Sequence, residues 1–193
     1  MNLLAHFYLS RATAPLMVGS FLGDFVKGKK YQTFEPAIAE GILLHREIDY
    51  FTDFHPVFLQ SKHRLVDQHH HFAGVIVDIF YDHFLAKNWH SYSDIPLETF
   101  TQKIYRTLHE QQTILPQKAQ QVLRYMREHD WLRNYAELEG IARTLRGMEK
   151  RSRYPNQMGS ATENLLQHYE RFEQEFSEFF EQVRVHTREW LTE

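Results

Sequence analysis

The sequence contains no cysteine. This absence excludes disulfide bonds, thiolate zinc sites and a cysteine nucleophile. Glycine and proline are scarce, with 8 and 6 among 193 residues, which favours helices over a turn-rich β fold. No uncharged apolar run approaches the ~18 residues that a membrane span needs. We therefore expect neither a transmembrane segment nor a membrane partner.

A strong excess of one charge is also missing. The formal net charge is −3, which gives no general attraction to nucleic acid, so we expect no nucleic-acid partner. The first residues, MNLLAHFYLS, lack a basic lead and a long apolar core, and this predicts no signal peptide. Because the lack of cysteine is compatible with a reducing compartment, we expect a cytoplasmic protein.

Three catalytic signatures are absent from the sequence. It has neither a Gly-rich phosphate loop nor a nucleophile elbow. No Glu is followed by His three residues later, which disfavours a ferritin-like di-iron bundle.

The apolar residues that are present predict an all-α fold. Apolar residues make up 42% of the chain, including 15 Phe and 10 Tyr, which is enough for a substantial core. Their spacing predicts a compact, multi-helix single domain over 1–193. The predicted helices cover about 2–10, 15–26, 36–53, 57–67, a segment ending near 89, 97–112, 117–128, 131–150 and 161–190.

Two apolar helical segments each carry a pair of metal-ligand residues. His45 and Asp49 stand four residues apart in the first, and Asp78 and Asp82 stand four apart in the second. Positions i and i+4 share one face of a helix. Buried carboxylates and imidazoles are costly unless they are paired or bound to a cation. The pattern therefore predicts a divalent metal, Mn²⁺, Fe²⁺ or Mg²⁺, between the two helices, with zinc not excluded.

Asp24 and His6 are further candidate ligands. Asp24 follows an apolar run at the predicted end of a helix, where a carboxylate opposes the helix dipole. A metal or Lys27 would remove this conflict. His6 lies in an apolar helix and, taken alone, is more simply explained as a core histidine. A structural alternative also covers the pairs, with Asp49 and Asp82 bound to arginines such as Arg46.

Two groups of basic residues are candidates for partner binding. The first directly follows Asp24, and the second lies near the predicted end of a helix. The alternative is an ordinary solvated helix end, where cations suit the helix dipole. The candidates are Lys27, Lys29, Lys30, Arg143, Arg146, Lys150 and Arg151.

Several of these segments together resemble the acyl carrier protein phosphodiesterase family, and the similarity covers nearly the whole chain. The matching motifs are the start MNLLAH, the segment GDFVKG from Gly23, the pattern GIxxHRxIDxxTD from Gly41, DxxxDHFL from Asp78 with Trp89 after it, and the region Gly140–Arg153. The family is an all-helical relative of the His-Asp (HD) phosphohydrolases. In this sequence the His-Asp pair is separated by one turn, as His45 and Asp49, rather than adjacent.

The resemblance implies a metal-dependent phosphodiesterase, usually using Mn²⁺. Such an enzyme hydrolyses holo-acyl carrier protein to the apo-protein and 4′-phosphopantetheine. The implied roles place Asp24, His45, Asp78 and Asp82 at the metal, and make His83 or His6 the general acid for the leaving serine. Carrier proteins are acidic, so the basic groups would attract this partner.

Two other functions remain open from the sequence. One is an HD-like metal phosphohydrolase acting on a nucleotide or another small phosphodiester. The other is a non-catalytic helical interaction protein, in which the buried Asp and His residues form internal salt bridges.

Overall fold

The computed structural model describes residues 1–11 and 13–192, and these residues form eleven α-helices and no strand. The prediction of an all-α fold is confirmed. None of the described helices is long and apolar enough to cross a membrane. The helices are α1 (Leu3–Leu9), α2 (Ala14–Leu22), α3 (Pro36–Phe54), α4 (Pro56–His69), α5 (Ala73–Lys87), α6 (Leu97–Glu110), α7 (Gln117–Glu128), α8 (Trp131–Asn134), α9 (Leu138–Arg151), α10 (Ala161–Gln167) and α11 (Tyr169–Trp190).

Helices α3 and α4, which are separated by His55, both begin with a proline. Pro36 and Pro56 occupy the first turns of α3 and α4, where the missing N–H of proline costs no helical hydrogen bond. His55 separates these helices with an extended backbone, as expected for a residue that precedes proline.

Two of the predicted helices are wrong in length because each is divided in the structure. The predicted helix 131–150 is split into α8 and α9 by a turn after Asn134. There the Asn134 carbonyl lies so close to Gly140 that a side chain at Gly140 would overlap it. The predicted helix 161–190 is broken at His168, whose φ of −124° and ψ of 27° lie outside the helical range.

Helix α2 ends at Leu22, earlier than the predicted end near Val26. The backbone N–H groups of Phe25 and Val26 both bond the Leu22 carbonyl, each at 2.9 Å, and this closes a turn. Asp24 therefore lies in the turn that follows the helix, not at the helix end.

Helices α2 and α3 pack with unusually close backbones. A Cβ at Gly19 would lie 2.7 Å from the Gly41 Cα atom and 2.8 Å from the Ile42 nitrogen. Only glycine allows this approach. As a result, the turn that carries Asp24 is held beside the middle of α3.

One hydrophobic core joins residues from α1 to α11. Helix α11 contributes an apolar stripe, in which Phe172, Phe176, Phe179 and Val183 are fully buried. Several aromatic rings of this stripe meet rings of α5, for example Phe176 with Tyr81 at 5.6 Å between centroids. The aromatic-rich composition thus fills the centre of the helical assembly.

The N-terminus of α1 is fixed by a buried carboxylate of α5. Asp82 accepts hydrogen bonds from the backbone N–H groups of Leu4 (2.8 Å) and Ala5 (3.0 Å). These are two of the N–H groups that a helix leaves without an internal partner. The contact orients α1 so that His6 is directed towards α3.

Candidate metal centre

Three side chains from α1 and α3 converge on one point. One nitrogen of His6, one nitrogen of His45 and a carboxylate oxygen of Asp49 all lie within 4.8 Å of one another. His6 Nε2 lies 3.1 Å from Asp49 Oδ1 and His45 Nε2 lies 3.2 Å from Asp49 Oδ2. The predicted i, i+4 pairing of His45 with Asp49 is thus seen directly, and His6 joins it from another helix.

The two imidazole rings are stacked. Their centroids lie 3.9 Å apart and the ring planes are inclined by 13°. Burial, together with the proximity of His45, lowers the pKa of His6 to about 3. His6 is therefore neutral at physiological pH, which is the form that binds metals.

Asp49 carries the negative charge of the cluster. Burial alone would raise its pKa, but hydrogen bonds from His45 and His6 outweigh this and hold the pKa well below its ordinary value. The carboxylate remains ionised, and its side chain is 44% exposed. It can therefore be reached from solvent, whereas both imidazoles are buried.

Two further carboxylates lie close to this cluster. Asp24 Oδ1 is 3.7 Å from His45 Nε2, and its side chain is 56% exposed. Asp78 Oδ1 lies 3.1 Å from the Met1 amino group, which is itself 3.5 Å from Asp49 Oδ1. The predicted ligands Asp24, His45, Asp49 and Asp78 are therefore neighbours. They come from the turn after α2, from α3 and from α5.

The Met1 amino group, which sequence reasoning missed, lies between two of these acids. Burial lowers its pKa, but the facing carboxylates of Asp78 and Asp49 outweigh this and raise the pKa above the ordinary value. Burial raises the pKa of Asp78, and the same ammonium partly offsets this effect. The positive charge of the Met1 amino group thus balances part of the negative charge of Asp78 and Asp49.

The donor set fits a divalent transition metal. Two imidazole nitrogens and one ionised carboxylate suit Mn²⁺, Fe²⁺ or Zn²⁺ better than Mg²⁺, which prefers oxygen ligands. The donor separations, about 3 Å between each imidazole nitrogen and Asp49, suit ligands that share one ion with bonds of about 2.0–2.2 Å. The Nδ1 atoms of both histidines are buried without a hydrogen-bond partner among the described residues, so Nε2 is the atom that each ring directs at the cluster.

Two of the predicted site residues lie outside this cluster in the structure. Asp82 is fully buried and uses both oxygens for the α1 backbone; burial raises its pKa to about 7, and the Leu4 and Ala5 N–H groups partly offset this rise. His83 contacts the Tyr135 carbonyl through Nδ1 (2.8 Å) and the Tyr169 hydroxyl through Nε2 (2.7 Å). Their roles as ligand and general acid stay predictions.

Gly23 is a second residue whose role at the site was not predicted from the sequence. A Cβ at this position would overlap the Cγ and Cδ2 atoms of the His45 ring. The ring therefore lies flat against the backbone that precedes Asp24. The sequence shows only that Gly23 precedes Asp24 in the motif GDF. The reason for a glycine at this position is the contact with the His45 ring.

The candidate partner-binding residues are exposed on two surfaces. Lys27, Lys29 and Lys30 lie at the start of a 3-10 helix, Gly28–Thr33, next to Asp24. The second group, Arg143, Arg146, Lys150 and Arg151, lies along α9. By contrast, Arg46 bonds the Val26 carbonyl at 2.9 Å, so the structural alternative that pairs it with Asp49 is not seen.

Comparison with known proteins identifies the family of the chain. The family model for acyl carrier protein phosphodiesterase matches residues 1–183. The chain belongs to the acyl carrier protein phosphodiesterase family. The acyl carrier protein phosphodiesterase of Photorhabdus laumondii is 30% identical over 93% of this chain and 91% of the relative. That of Yersinia enterocolitica is 30% identical over 93% and 94%, respectively. No solved structure matches the chain.

Proposed function

We propose that this protein is a metal-dependent phosphodiesterase that hydrolyses holo-acyl carrier protein to apo-acyl carrier protein and 4′-phosphopantetheine. Membership of the family supports the reaction class and the substrate. The observation that carries the proposal is the convergence of His6, His45 and Asp49, with Asp24 and Asp78 beside them. Buried imidazoles beside carboxylates that solvent can reach are suited to phosphoester hydrolysis at a cation.

His6, His45 and Asp49 would hold the divalent cation, with Mn²⁺ the first choice from the ligand set. When bound, the cation would neutralise the phosphodiester and lower the pKa of water. Asp24 and Asp78 extend the donor set on either side. The neutral state of His6 serves this role and removes it as the proton donor in the resting enzyme.

The reaction consumes one water. Its oxygen bonds to phosphorus, the bond from phosphorus to the serine oxygen breaks, and the serine oxygen takes a proton. Asp24 is the most exposed of the three carboxylates in this region, and its Oδ1 lies 3.7 Å from His45 Nε2, so in this proposal it orients the attacking water and accepts its proton. Lys27, Lys29 and Lys30 follow Asp24 and attract the anionic substrate towards the cluster.

The test is mass spectrometry of holo-acyl carrier protein incubated with the protein and Mn²⁺. We expect loss of the phosphopantetheine mass from the carrier and appearance of free 4′-phosphopantetheine. Asp24→Ala and Asp49→Asn should abolish this change, while Asp94→Asn, which alters an exposed carboxylate before α6, should retain it. A folded, Mn²⁺-loaded protein that leaves the carrier intact would contradict the proposal.

The predicted cytoplasmic location stays a prediction.

A further inference from the structure

A groove of about 680 Å³ lies between α7, α8 and α9. Its volume is within the range of ordinary binding sites. None of the residues that form its wall is acidic. They are Lys118, Gln121, Val122, Tyr125, His129, Trp131, Asn134, Gly140, Arg143, Thr144, Gly147 and Arg151.

The groove combines exposed apolar surface with cations. Tyr125 is 55% exposed. Val122 and Trp131 are half-buried beside it, and Lys118, Arg143 and Arg151 supply positive charge. An aromatic and apolar centre with charged residues around it is the composition of a protein-binding surface.

The positive charge extends beyond the groove along α9. From Arg143 to Arg153 the chain has five cations and one carboxylate, Glu149, although its net charge is −3. Glu149 accepts a hydrogen bond from the Gly159 N–H at 2.8 Å. Arg143 contacts Glu139 at 3.4 Å, but both side chains are largely exposed, so this pair holds Arg143 only weakly and leaves it free to meet a partner.

Gly147 leaves room for one of these cations, Arg151, to lie against the groove. The guanidinium of Arg151 lies one turn further along α9, and its Nη1 would be 3.3 Å from a Cβ at Gly147. The absence of a side chain at Gly147 lets Arg151 fold back across the helix. The cation therefore lies over the groove wall while it remains exposed to solvent.

Tyr135 is a buried residue between α8 and α9, two of the helices that form the groove. Burial and the charge of Asp82 raise the pKa of the Tyr135 hydroxyl, while Asn2 and Arg151 act in the opposite direction. Asn2 and the groove residue Arg151 therefore both act on this hydroxyl. Asn2 adjoins Met1, whose amino group contacts Asp49 and Asp78, and α9 packs against α5.

We infer that this groove is the docking surface for the acyl carrier protein. The partner's chemistry is an acidic protein surface that places an apolar side chain against Tyr125, Val122 and Trp131 while its carboxylates meet Lys118, Arg143 and Arg151. The inference rests on the proposed function, because it takes the carrier as substrate. Family membership and the apolar centre of the groove select this occupant, and the cations complement its acidic surface.

The test compares two substrates of the Mn²⁺-loaded protein: holo-acyl carrier protein, and a short synthetic peptide carrying the phosphopantetheinylated serine. In the variant Arg143→Glu/Arg151→Glu we expect the KM for the carrier to rise by roughly tenfold or more at low salt. The loss of kcat/KM on the carrier should exceed the loss on the peptide by about the same factor. Tyr125→Ala should raise the KM for the carrier without a loss of helical content by circular dichroism, because the ring is exposed.

The control is Arg171→Glu, which makes the same charge change at an exposed position of α11. It should keep the KM for the carrier within about twofold, since scattered surface changes have small effects. Added salt should raise the wild-type KM for the carrier and have less effect on the double variant.

Two results would overturn the inference alone: a double variant with the wild-type KM for the carrier, or tight binding of a fluorescent single-stranded RNA that the same double variant loses. If the wild-type protein hydrolyses neither the carrier nor the peptide, the proposed function itself is overturned.

Discussion

The imidazoles of His6 and His45 stack at 3.9 Å, although they come from different helices. Each ring directs Nε2 at a different oxygen of Asp49. Burial and the neighbouring His45 ring keep His6 neutral, and Asp49 stays ionised beside it. The ring pair thus prepares a donor set for a cation before any cation binds.

Replacement of the carboxylate at the centre of this cluster should remove metal binding. We expect Asp49→Asn to weaken Mn²⁺ affinity by roughly 100-fold or more, since even partners outside the ligand shell alter affinity by 10–100-fold. Isothermal titration with Mn²⁺ measures this effect. Asp94→Asn is the matched control. Unchanged Mn²⁺ affinity in Asp49→Asn would place the metal elsewhere.

Gly23→Ala should displace the His45 ring. The backbone at Gly23 is right-handed helical, with φ of −51° and ψ of −38°, so alanine fits the backbone and only the contact with His45 is altered. We expect weaker Mn²⁺ binding with circular dichroism like that of the wild type.

Gly74→Ala is the control, because the nearest atom to its Cβ lies at 3.8 Å. Its melting temperature should be unchanged or higher, since alanine favours a helix by about 0.5–1 kcal/mol over glycine. Wild-type affinity in Gly23→Ala would show that the ring position is not critical.

Removal of the metal should lower thermal stability. A ligand that binds only the folded state at 100 times its Kd contributes about 2.7 kcal/mol. Differential scanning fluorimetry of the wild-type protein with Mn²⁺, and then with excess EDTA, should show a drop in melting temperature. The same treatment should leave Asp49→Asn almost unaffected. An equal response of the two proteins would mean that Mn²⁺ acts through a different site.

Asp82→Ala should destabilise the fold through α1. The change leaves the Leu4 and Ala5 N–H groups without their partner, and each unsatisfied buried group costs about 1–3 kcal/mol. Urea denaturation should therefore show a loss of roughly 2–4 kcal/mol. If stability is retained while Mn²⁺ affinity falls, the predicted role of Asp82 as a ligand would be supported instead.

The stability of the protein should fall below about pH 6.5, partly because of His83. Burial lowers the pKa of His83 in the folded state, an effect that the Tyr135 carbonyl partly offsets. As pH falls through the unfolded pKa, the unfolded chain takes up a proton before the folded chain does, so stability is lost. One such group contributes at most about 1.4 kcal/mol per pH unit. Melting temperatures of His83→Gln at pH 7.5 and 5.5 should differ less than those of the wild-type protein. An identical pH dependence in the two proteins would contradict this role.

The sequence by itself determined the helical class, most helix positions and the family. Apolar spacing and the prolines at the starts of α3 and α4 are local signals, so they can be interpreted without tertiary contacts. The pairing of His45 with Asp49 is equally local, because one helical turn separates them. The breaks after Asn134 and at His168 were missed, since no glycine or proline stands at either position to signal them.

Only the tertiary structure decided which ligand candidates meet. His6 reaches the cluster because Asp82 fixes the start of α1, and this same contact occupies the oxygens that the sequence assigned to a metal. Asp82 and His83 are adjacent in sequence, yet one meets α1 and the other meets Tyr135 and Tyr169, because successive helical residues point about 100° apart. The spacing of residues within a helix fixes a face, but the packing of helices determines what that face meets.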